Sequence, residues 1–181
     1  LKVIIIMNRK GFTLIELLAV IILVALIGVL VIPSVIDTAK QTKQKAYDIL
    51  IENIGTAAKT YFEECEYGDL NNEVKYGSYA CTINDDNSIE TTLGTLANLG
   101  FLPTKDTETK NGKTLKVVKD PRNQDNDMSD CQIKVIKETT ENTDSHGIKI
   151  KKITYKLSKV SGGDNCPSEE DLEKVVIKWY N

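Results

Sequence analysis

The chain has 181 residues, of which 41% are hydrophobic and 27% are charged, and its formal net charge is −3. This length allows one domain of ordinary size together with an additional segment. The small acidic surplus, with Lys interleaved among Asp and Glu, argues against a nucleic-acid-binding protein, because such proteins normally display a basic patch. Charge therefore predicts no nucleic-acid partner.

An apolar segment dominates the amino-terminal part of the chain. From position 12 onward, 21 consecutive residues include only two polar side chains, those of Thr13 and Glu16. A helix of about 20 residues can cross a ~30 Å hydrocarbon core. Because Arg9 and Lys10 precede the run, the positive-inside rule places the amino terminus in the cytoplasm. The sequence predicts a single-pass protein of the cytoplasmic membrane, with residues 12–36 as the transmembrane helix.

Glu16 is the unusual residue of this run. A carboxylate in hydrocarbon is costly and commonly marks a function. A secretory signal peptide would have a shorter apolar stretch followed by small residues at a cleavage site, whereas this run is long and leads into Pro-Ser-Val-Ile-Asp. Composition alone leaves two interpretations open, a plain anchor that tolerates an acid and a helix with a functional acid.

The segment KGFTLIELLAV, at residues 10–20, resembles the prepilin signature of type IV pilins and pseudopilins. The likeness is specific over residues 8–33, where a basic leader, a Gly, an aromatic residue and an acid stand at fixed spacing before a membrane-length apolar run. It implies that a prepilin peptidase recognises a leader containing Arg9 and Lys10 and cleaves between Gly11 and Phe12. It also implies N-methylation of Phe12, assembly with other pilin subunits by the pilus machinery, and a final location in a pilus at the cell surface.

The spacing of Phe12 and Glu16 fits this resemblance. Cleavage would create a positive amine on Phe12, and Glu16 lies one helical turn further on, where the helix dipole also favours a negative charge. The two charges can neutralise each other within one chain or between neighbours, and the resemblance favours the neighbour's amine during assembly. Phe12 and Glu16 are therefore the predicted assembly residues, because a subunit out of register would leave both charges unpaired.

An amphipathic pattern follows Pro33 and predicts that the helix continues through residues 37–66, bent at the proline. We expect residues 1–11 to be the leader, with residues 1–6 preceding Met7 as the more natural first residue, and residues 67–181 to form a globular head. Apolar residues recur at three- and four-residue steps in the amphipathic half: Ala39, Ala46, Tyr47, Leu50, Ile54, Ala57, Ala58, Tyr61 and Cys65. We expect the aromatic residues Tyr47, Tyr61 and Phe62 to pack in the core.

The head is predicted to be a small antiparallel sheet. Its three candidate strands are KTLKVVK (113–119), CQIKVIK (131–137) and IKIKKITYKL (148–157), the last with a bulge at Lys151-Lys152. Turn-forming residues at 120–130 and 138–147 separate them. Together with the long helix, these strands predict an α+β fold in which the helix packs on the sheet, as the resemblance to pilins also implies.

Three other segments of the head carry weaker signals. Residues 67–88 are predicted to form a loop, and a short Leu-rich helix with Leu93, Leu96 and Ala97 on one face is expected to end at Gly100. The carboxy-terminal tail is ambiguous. Ser168 and Asp171 suggest a helix capping box, whereas VVIKWY could form a last strand.

Four cysteines lie in the part predicted to be exported, so we expect two disulfides, for which three pairings are possible. We favour Cys65 with Cys81, which closes the loop after the long helix, and Cys131 with Cys166, which resembles the disulfide-bounded region near the end of many pilins. A zinc site is disfavoured because the chain has no C-x-x-C spacing and only one histidine.

The acids Asp125, Asp127 and Asp130 are a weak calcium candidate, because their spacing matches no established loop and solvated turn residues explain them better. No catalytic motif or cofactor motif is recognisable, so we predict a structural subunit rather than an enzyme. The main prediction is a type IV pilin. The alternatives are a pseudopilin of a secretion or DNA-uptake machine and, from another class, an uncleaved single-span protein with a ligand-binding head.

Overall fold

The computed structural model describes residues 13–67, 81–143, 146–147, 149–175 and 177–180, without the side chains of residues 29–34 and 177–180. Its helices are α1 (Leu14–Glu66), α2 (Leu93–Leu99) and α3 (Glu169–Glu173). Its strands are β1 (Ser88–Thr92), β2 (Thr107–Lys110), β3 (Lys113–Lys116), β4 (Lys119–Asp120), β5 (Asn123–Asp127), β6 (Gln132–Thr143), β7 (Lys149–Ser161) and β8 (Ile177–Tyr180). A long helix followed by a small antiparallel sheet confirms the predicted α+β, pilin-like class.

Helix α1 contributes to two compact units, of which the first ends at Thr42 and the second begins at Lys43. In the second unit, one face of α1 is buried at three- and four-residue steps, because apolar side chains at this period share one side of a helix. The α1 residues of the core are Tyr47, Ile51, Ile54, Ala57, Ala58, Tyr61, Phe62 and Cys65.

Within the described ranges, no helix has both the length and the hydropathy needed to cross a membrane.

The main sheet has the strand order β1-β6-β7-β8, and every neighbouring pair is antiparallel. Successive side chains of a strand alternate between its two faces. Ile133 and Val135 of β6 and Tyr155 and Leu157 of β7 are buried. The Tyr155 ring meets Phe62 of α1 edge to face, with the ring centroids 5.8 Å apart. The buried face of the sheet therefore packs on α1, as predicted.

The short helix α2 forms where the Leu-rich segment predicted it. Thr92 caps its amino end by accepting a hydrogen bond from the Thr95 amide, and Gly100 ends it in a left-handed conformation with φ of 90°. Leu93, Leu96 and Ala97 are buried, which places α2 in the core of the second unit.

The predicted strand at residues 113–119 is wrong in its length and in its partner. Lys113–Lys116 forms a short strand that pairs with Thr107–Lys110 in a separate hairpin outside the main sheet, and Lys119 belongs to β4. The next two residues, Val117 and Val118, are both buried. Consecutive residues of a strand point to opposite faces, so two adjacent buried valines cannot continue a strand that is buried on one face only.

The main sheet also contains a strand that the sequence did not predict. Residues Ser88–Thr92 pair with β6, from Ser88 opposite Ile136 to Thr92 opposite Gln132. The segment is only five residues long, and its alternation is too short to distinguish it from the loop predicted to end at Ser88. It occupies the edge position beside β6, which was expected for the strand at 113–119.

The bulge is not at Lys151-Lys152, where it was predicted. Those two residues pair regularly with Glu141 and Thr140 of β6, and the register changes instead where Gln132 pairs with Ser161 but Ile133 pairs with Lys159. Strand β7 therefore has its extra residue at Val160. Ile150 and Ile153 are three residues apart, so they lie on opposite faces of a regular strand. The apolar pattern therefore needs no bulge between them.

The segment 120–130 is likewise more ordered than the predicted turn, since β4 and β5 form a two-stranded hairpin in it. The ambiguous tail contains both predicted elements in succession. Ser168 caps α3 by accepting a hydrogen bond from the Asp171 amide at 3.1 Å, and Ile177–Tyr180 then pairs with β7. The capping residues and the apolar run that follows them were two separate signals rather than competing ones.

A polar cluster ties α1 to the β4–β5 hairpin and to α3. The Arg122 guanidinium lies 3.3 Å from the centroid of the Tyr47 ring and donates to the buried Asp120 carboxylate at 2.9 Å. The Tyr47 hydroxyl donates to Asp171 at 3.1 Å, and burial raises the pKa of Tyr47 to about 12. Burial by itself raises the pKa of Asp171, but hydrogen bonds from Ser168 and Tyr47 outweigh it and hold this pKa below its usual value.

Candidate functional site

The first turn of α1 is closed by a reciprocal cap between Thr13 and Glu16. The Thr13 backbone N–H and the Thr13 hydroxyl both donate to Glu16 Oε2, each at 2.9 Å. In return, the Glu16 backbone N–H donates to Thr13 Oγ1 at 3.3 Å. The Thr13 carbonyl accepts the first helical hydrogen bond, from Leu17, at 3.2 Å. Glu16 therefore satisfies amino-terminal groups of α1 that would otherwise lack a partner.

Sequence reasoning missed the contribution of Thr13, although the signal was present. Thr-Leu-Ile-Glu is a T-x-x-E capping box, the kind of pattern that we recognised at Ser168. The predicted partner of Glu16, the Phe12 amine, lies outside the described residues. The predicted cleavage position after Gly11 and the leader residues Arg9 and Lys10 also lie outside them.

The surface of α1 just after this cap is apolar on every side. Leu14 is 82% exposed and Ile15 is 74% exposed, and consecutive residues of a helix point in directions about 100° apart. A helix that is apolar all round is stable only when lipid or other protein covers it. The large exposed apolar residues between Thr13 and Gly28 are Leu14, Ile15, Leu17, Leu18, Val20, Ile21, Ile22, Leu23, Val24, Leu26 and Ile27.

The four cysteines are brought together in the two pairs that were favoured from the sequence. Cys65 at the end of α1 is joined to Cys81, with their Cα atoms 6.0 Å apart. Cys131, which immediately precedes β6, is joined to Cys166, with their Cα atoms 5.6 Å apart. The first bond fixes the end of α1, and the second fixes the segment before α3 to the sheet.

We expect Gly162→Ala to destabilise the second unit, because Gly162 has φ of 136° and a Cβ there would overlap the Cys166 sulfur, which its bond to Cys131 prevents from moving away. Backbone strain and overpacking of this kind typically cost about 1–3 kcal/mol. Gly163→Ala is the matched control, because a Cβ at Gly163 meets nothing within 4 Å. The melting temperatures of the two variants and the wild type are measured by thermal unfolding, with circular dichroism as the signal. Equal melting temperatures for both would contradict the predicted overlap.

The three acids of the weak calcium candidate lie on and just after β5, and they have separate surroundings. Asp125 and Asp130 are exposed, whereas Asp127 accepts hydrogen bonds from the backbone and the hydroxyl of Ser129 at 2.9 and 2.6 Å. In the described part of the chain, no group of three or more His, Cys, Asp or Glu residues is arranged to hold a metal ion. The structure gives the calcium interpretation no support.

Comparison with protein families matches residues 6–32 to the prokaryotic N-terminal methylation motif. This is the signature of type IV pilins and pseudopilins, and the chain carries it at the position that was predicted from its residues. The matched segment contains the Thr13–Glu16 cap and most of the exposed apolar surface that follows it. The search of curated proteins finds no match, and neither does the search of solved structures.

Proposed function

We propose that this protein is a structural subunit of a type IV pilus. In this proposal a prepilin peptidase removes residues 1–11, and the new amino group of Phe12 is methylated. The subunit is anchored in the cytoplasmic membrane until it joins a surface filament. The observation that carries the proposal is the methylation motif on a helix that is apolar on every side. A motif of this family is typical of structural proteins rather than enzymes.

The apolar part of α1 supports a role both in the membrane and in a filament. Hydrocarbon chains can cover its side chains before assembly, and the same surface of neighbouring subunits can cover them afterwards. The proposed span of residues 12–36 includes Phe12, which lies outside the described residues, and residues 29–34, whose side chains are not described. The second unit, with its own core and disulfides, would be the part presented outside the cell.

The Thr13–Glu16 cap supports separate roles for the two oxygens of the Glu16 carboxylate. Both hydrogen bonds from Thr13 end on Oε2, and no hydrogen bond to Oε1 occurs among the described residues. A carboxylate can accept several hydrogen bonds at its two oxygens. One oxygen of Glu16 would thus hold the helix start while the other receives the Phe12 amine of a neighbouring subunit.

The mature chain is expected to begin at Phe12 and to carry one methyl group on its amino nitrogen. Intact-mass measurement and amino-terminal sequencing of the protein from its native host test this expectation. The matched control is the same measurement on Gly11→Leu, which should retain its leader, because a large side chain obstructs the close approach of a protease to the backbone at this position.

Two results would overturn the proposal. A wild-type chain that keeps its leader, or a mature terminus beyond Pro33, would exclude processing as a pilin. If cleavage occurs, surface filaments sheared from the cells and identified by mass spectrometry should contain this chain as a subunit. A cleaved chain that remains in the cell envelope and never appears in surface filaments would instead identify it as a pseudopilin.

A further inference from the structure

A groove with an apolar floor and an acidic rim lies on the second unit, between the main sheet and α3. The half-buried Ile136 contributes apolar surface to it, and the exposed Glu169 and Glu173 contribute carboxylates. Glu169 is held in place by a hydrogen bond that it accepts from the Lys159 backbone N–H at 2.6 Å. The full lining is Ile136, Lys156, Leu157, Ser158, Glu169 and Glu173.

The negative charge of this rim is not balanced within the groove. The one cation of the lining, Lys156, is already paired with Glu138, at a distance of 2.7 Å between Nζ and Oε1. Glu173 is exposed and has no ion-pair partner in the described ranges. The groove therefore suits an occupant that is positively charged and carries aliphatic surface.

The β2–β3 hairpin of the same chain has this combination of properties. Its strands are joined by the tight turn Asn111-Gly112, with φ of 52° and 74°, and they form a two-stranded sheet of their own. Lys110, Lys113 and Lys116 are all exposed. Their long methylene stems can lie on apolar surface while their ammonium groups meet carboxylates.

These lysines are poorly balanced within their own chain. Lys110 approaches Glu108 only to 3.8 Å, and neither Lys113 nor Lys116 has an ion-pair partner among the residues that the structure describes. Among the described residues, no hydrogen bond or ion pair joins the β2–β3 hairpin to α3. One copy of the chain thus presents an acidic groove and, elsewhere on its surface, a basic hairpin.

We propose that the β2–β3 hairpin of one copy docks in the groove between the main sheet and α3 of a second copy. Lys113 and its cross-strand partner Lys110, which lie on one face of the hairpin, face Glu173 and Glu169. Leu115, on the same face, lies with the lysine stems against Ile136. In a filament each copy uses its hairpin on one neighbour and its groove on another, so the contact is heterologous and repeats from copy to copy. The inference rests on the proposed function, in which copies of this chain are neighbours in a filament, and it supplies a contact between their heads.

Zero-length crosslinking tests the contact directly. Full-length chain grown in ¹⁵N medium is mixed with unlabelled chain in detergent, and a water-soluble carbodiimide joins carboxylates to amines that are in contact. With equal amounts of the two chains, peptide mass spectrometry should find Glu173 or Glu169 linked to Lys110 or Lys113, and half of the linked pairs should combine one labelled and one unlabelled peptide. If such links are absent, or occur only within one chain, the proposal is wrong.

Charge reversal in the native host provides a second test. Glu173→Lys and Lys113→Glu should each lower the filament yield about tenfold, because like charges facing each other in a contact are repulsive. The double variant should restore the yield, since it exchanges the two charges. Glu170→Lys and Lys105→Glu are the matched controls, because these exposed residues line neither the groove nor the hairpin.

The possible results separate this inference from the proposed function. Wild-type filaments that contain cleaved subunits, together with a double variant that fails to recover, would overturn the hairpin contact and leave the pilus proposal standing. An uncleaved wild-type chain would overturn the pilus proposal. Mixed-isotope crosslinks would still establish the contact in that case, because the detergent experiment needs neither cleavage nor assembly machinery.

Discussion

Glu16→Ala should leave the chain in the membrane and abolish its assembly into filaments. Removal of an acid from an apolar segment makes insertion easier, so the membrane-bound amount should be equal to or greater than that of the wild type. Assembly should fail because the neighbour's Phe12 amine then has no carboxylate partner in the bundle of helices. One-sided loss of a buried charge pair is strongly unfavourable, and we expect filament yield to fall by about a hundredfold or more.

Thr13→Ala and Glu16→Asp separate the two roles of this carboxylate. Thr13→Ala removes the hydroxyl that bonds to Glu16 but keeps the charge, so it should weaken the helix cap and retain most of the filaments. Glu16→Asp keeps the charge but shortens its reach, and it should assemble poorly. Filament yield, membrane-bound protein and leader cleavage are measured together for all three variants. Normal filament yield from Glu16→Ala would show that the acid is merely tolerated in a plain anchor.

Loss of the bond between Cys131 and Cys166 should destabilise the second unit more than loss of the bond between Cys65 and Cys81. The bond closes a loop with a sequence separation of 35 residues, and the chain-entropy model then predicts a loss of about 4 kcal/mol in the free energy of unfolding. Replacing both cysteines by Ser and unfolding the full-length chain in guanidinium chloride measures this loss. The corresponding Cys65 and Cys81 double variant is the comparison, since its separation of 16 predicts a loss of about 3 kcal/mol.

A thiol assay determines whether this interpretation applies to the native protein. Peptide mapping without reduction should find all four cysteines protected in the two pairs. Ready alkylation of Cys131 and Cys166 in unreduced protein would contradict the bond on which the stability prediction depends. Equal unfolding free energies for the wild type and the Cys131 and Cys166 variant would contradict its predicted contribution.

The parts of the fold that the sequence predicted well are those with long or chemically specific patterns. The helix was recognisable because its apolar positions recur over many turns, and Tyr47, Tyr61 and Phe62 are buried as expected. The methylation motif combines several residue types at fixed spacing, and the family comparison finds it at the expected place. Short signals with an established stereochemistry, such as Gly100 after α2, were equally reliable.

The partners of the strands could not be predicted in the same way. Residues 113–119 were predicted to be one strand, yet Val117 and Val118 are buried outside any strand. They separate Lys113–Lys116, which pairs in one hairpin, from Lys119, which pairs in the next. The edge strand Ser88–Thr92 has little alternation of its own, and its pairing with β6 identifies it. Strand pairing depends on contacts between segments far apart in sequence, which local periodicity does not contain.

The position of the Thr13–Glu16 cap has a consequence for proteolytic maturation. Both residues of the cap, and the Leu17 amide that bonds to the Thr13 carbonyl, lie on the carboxyl side of Gly11. The cut that we propose after Gly11 therefore leaves every group of this cap on the mature chain. Maturation would place a new positive charge beside a helix start whose capping groups the mature subunit carries with it into assembly.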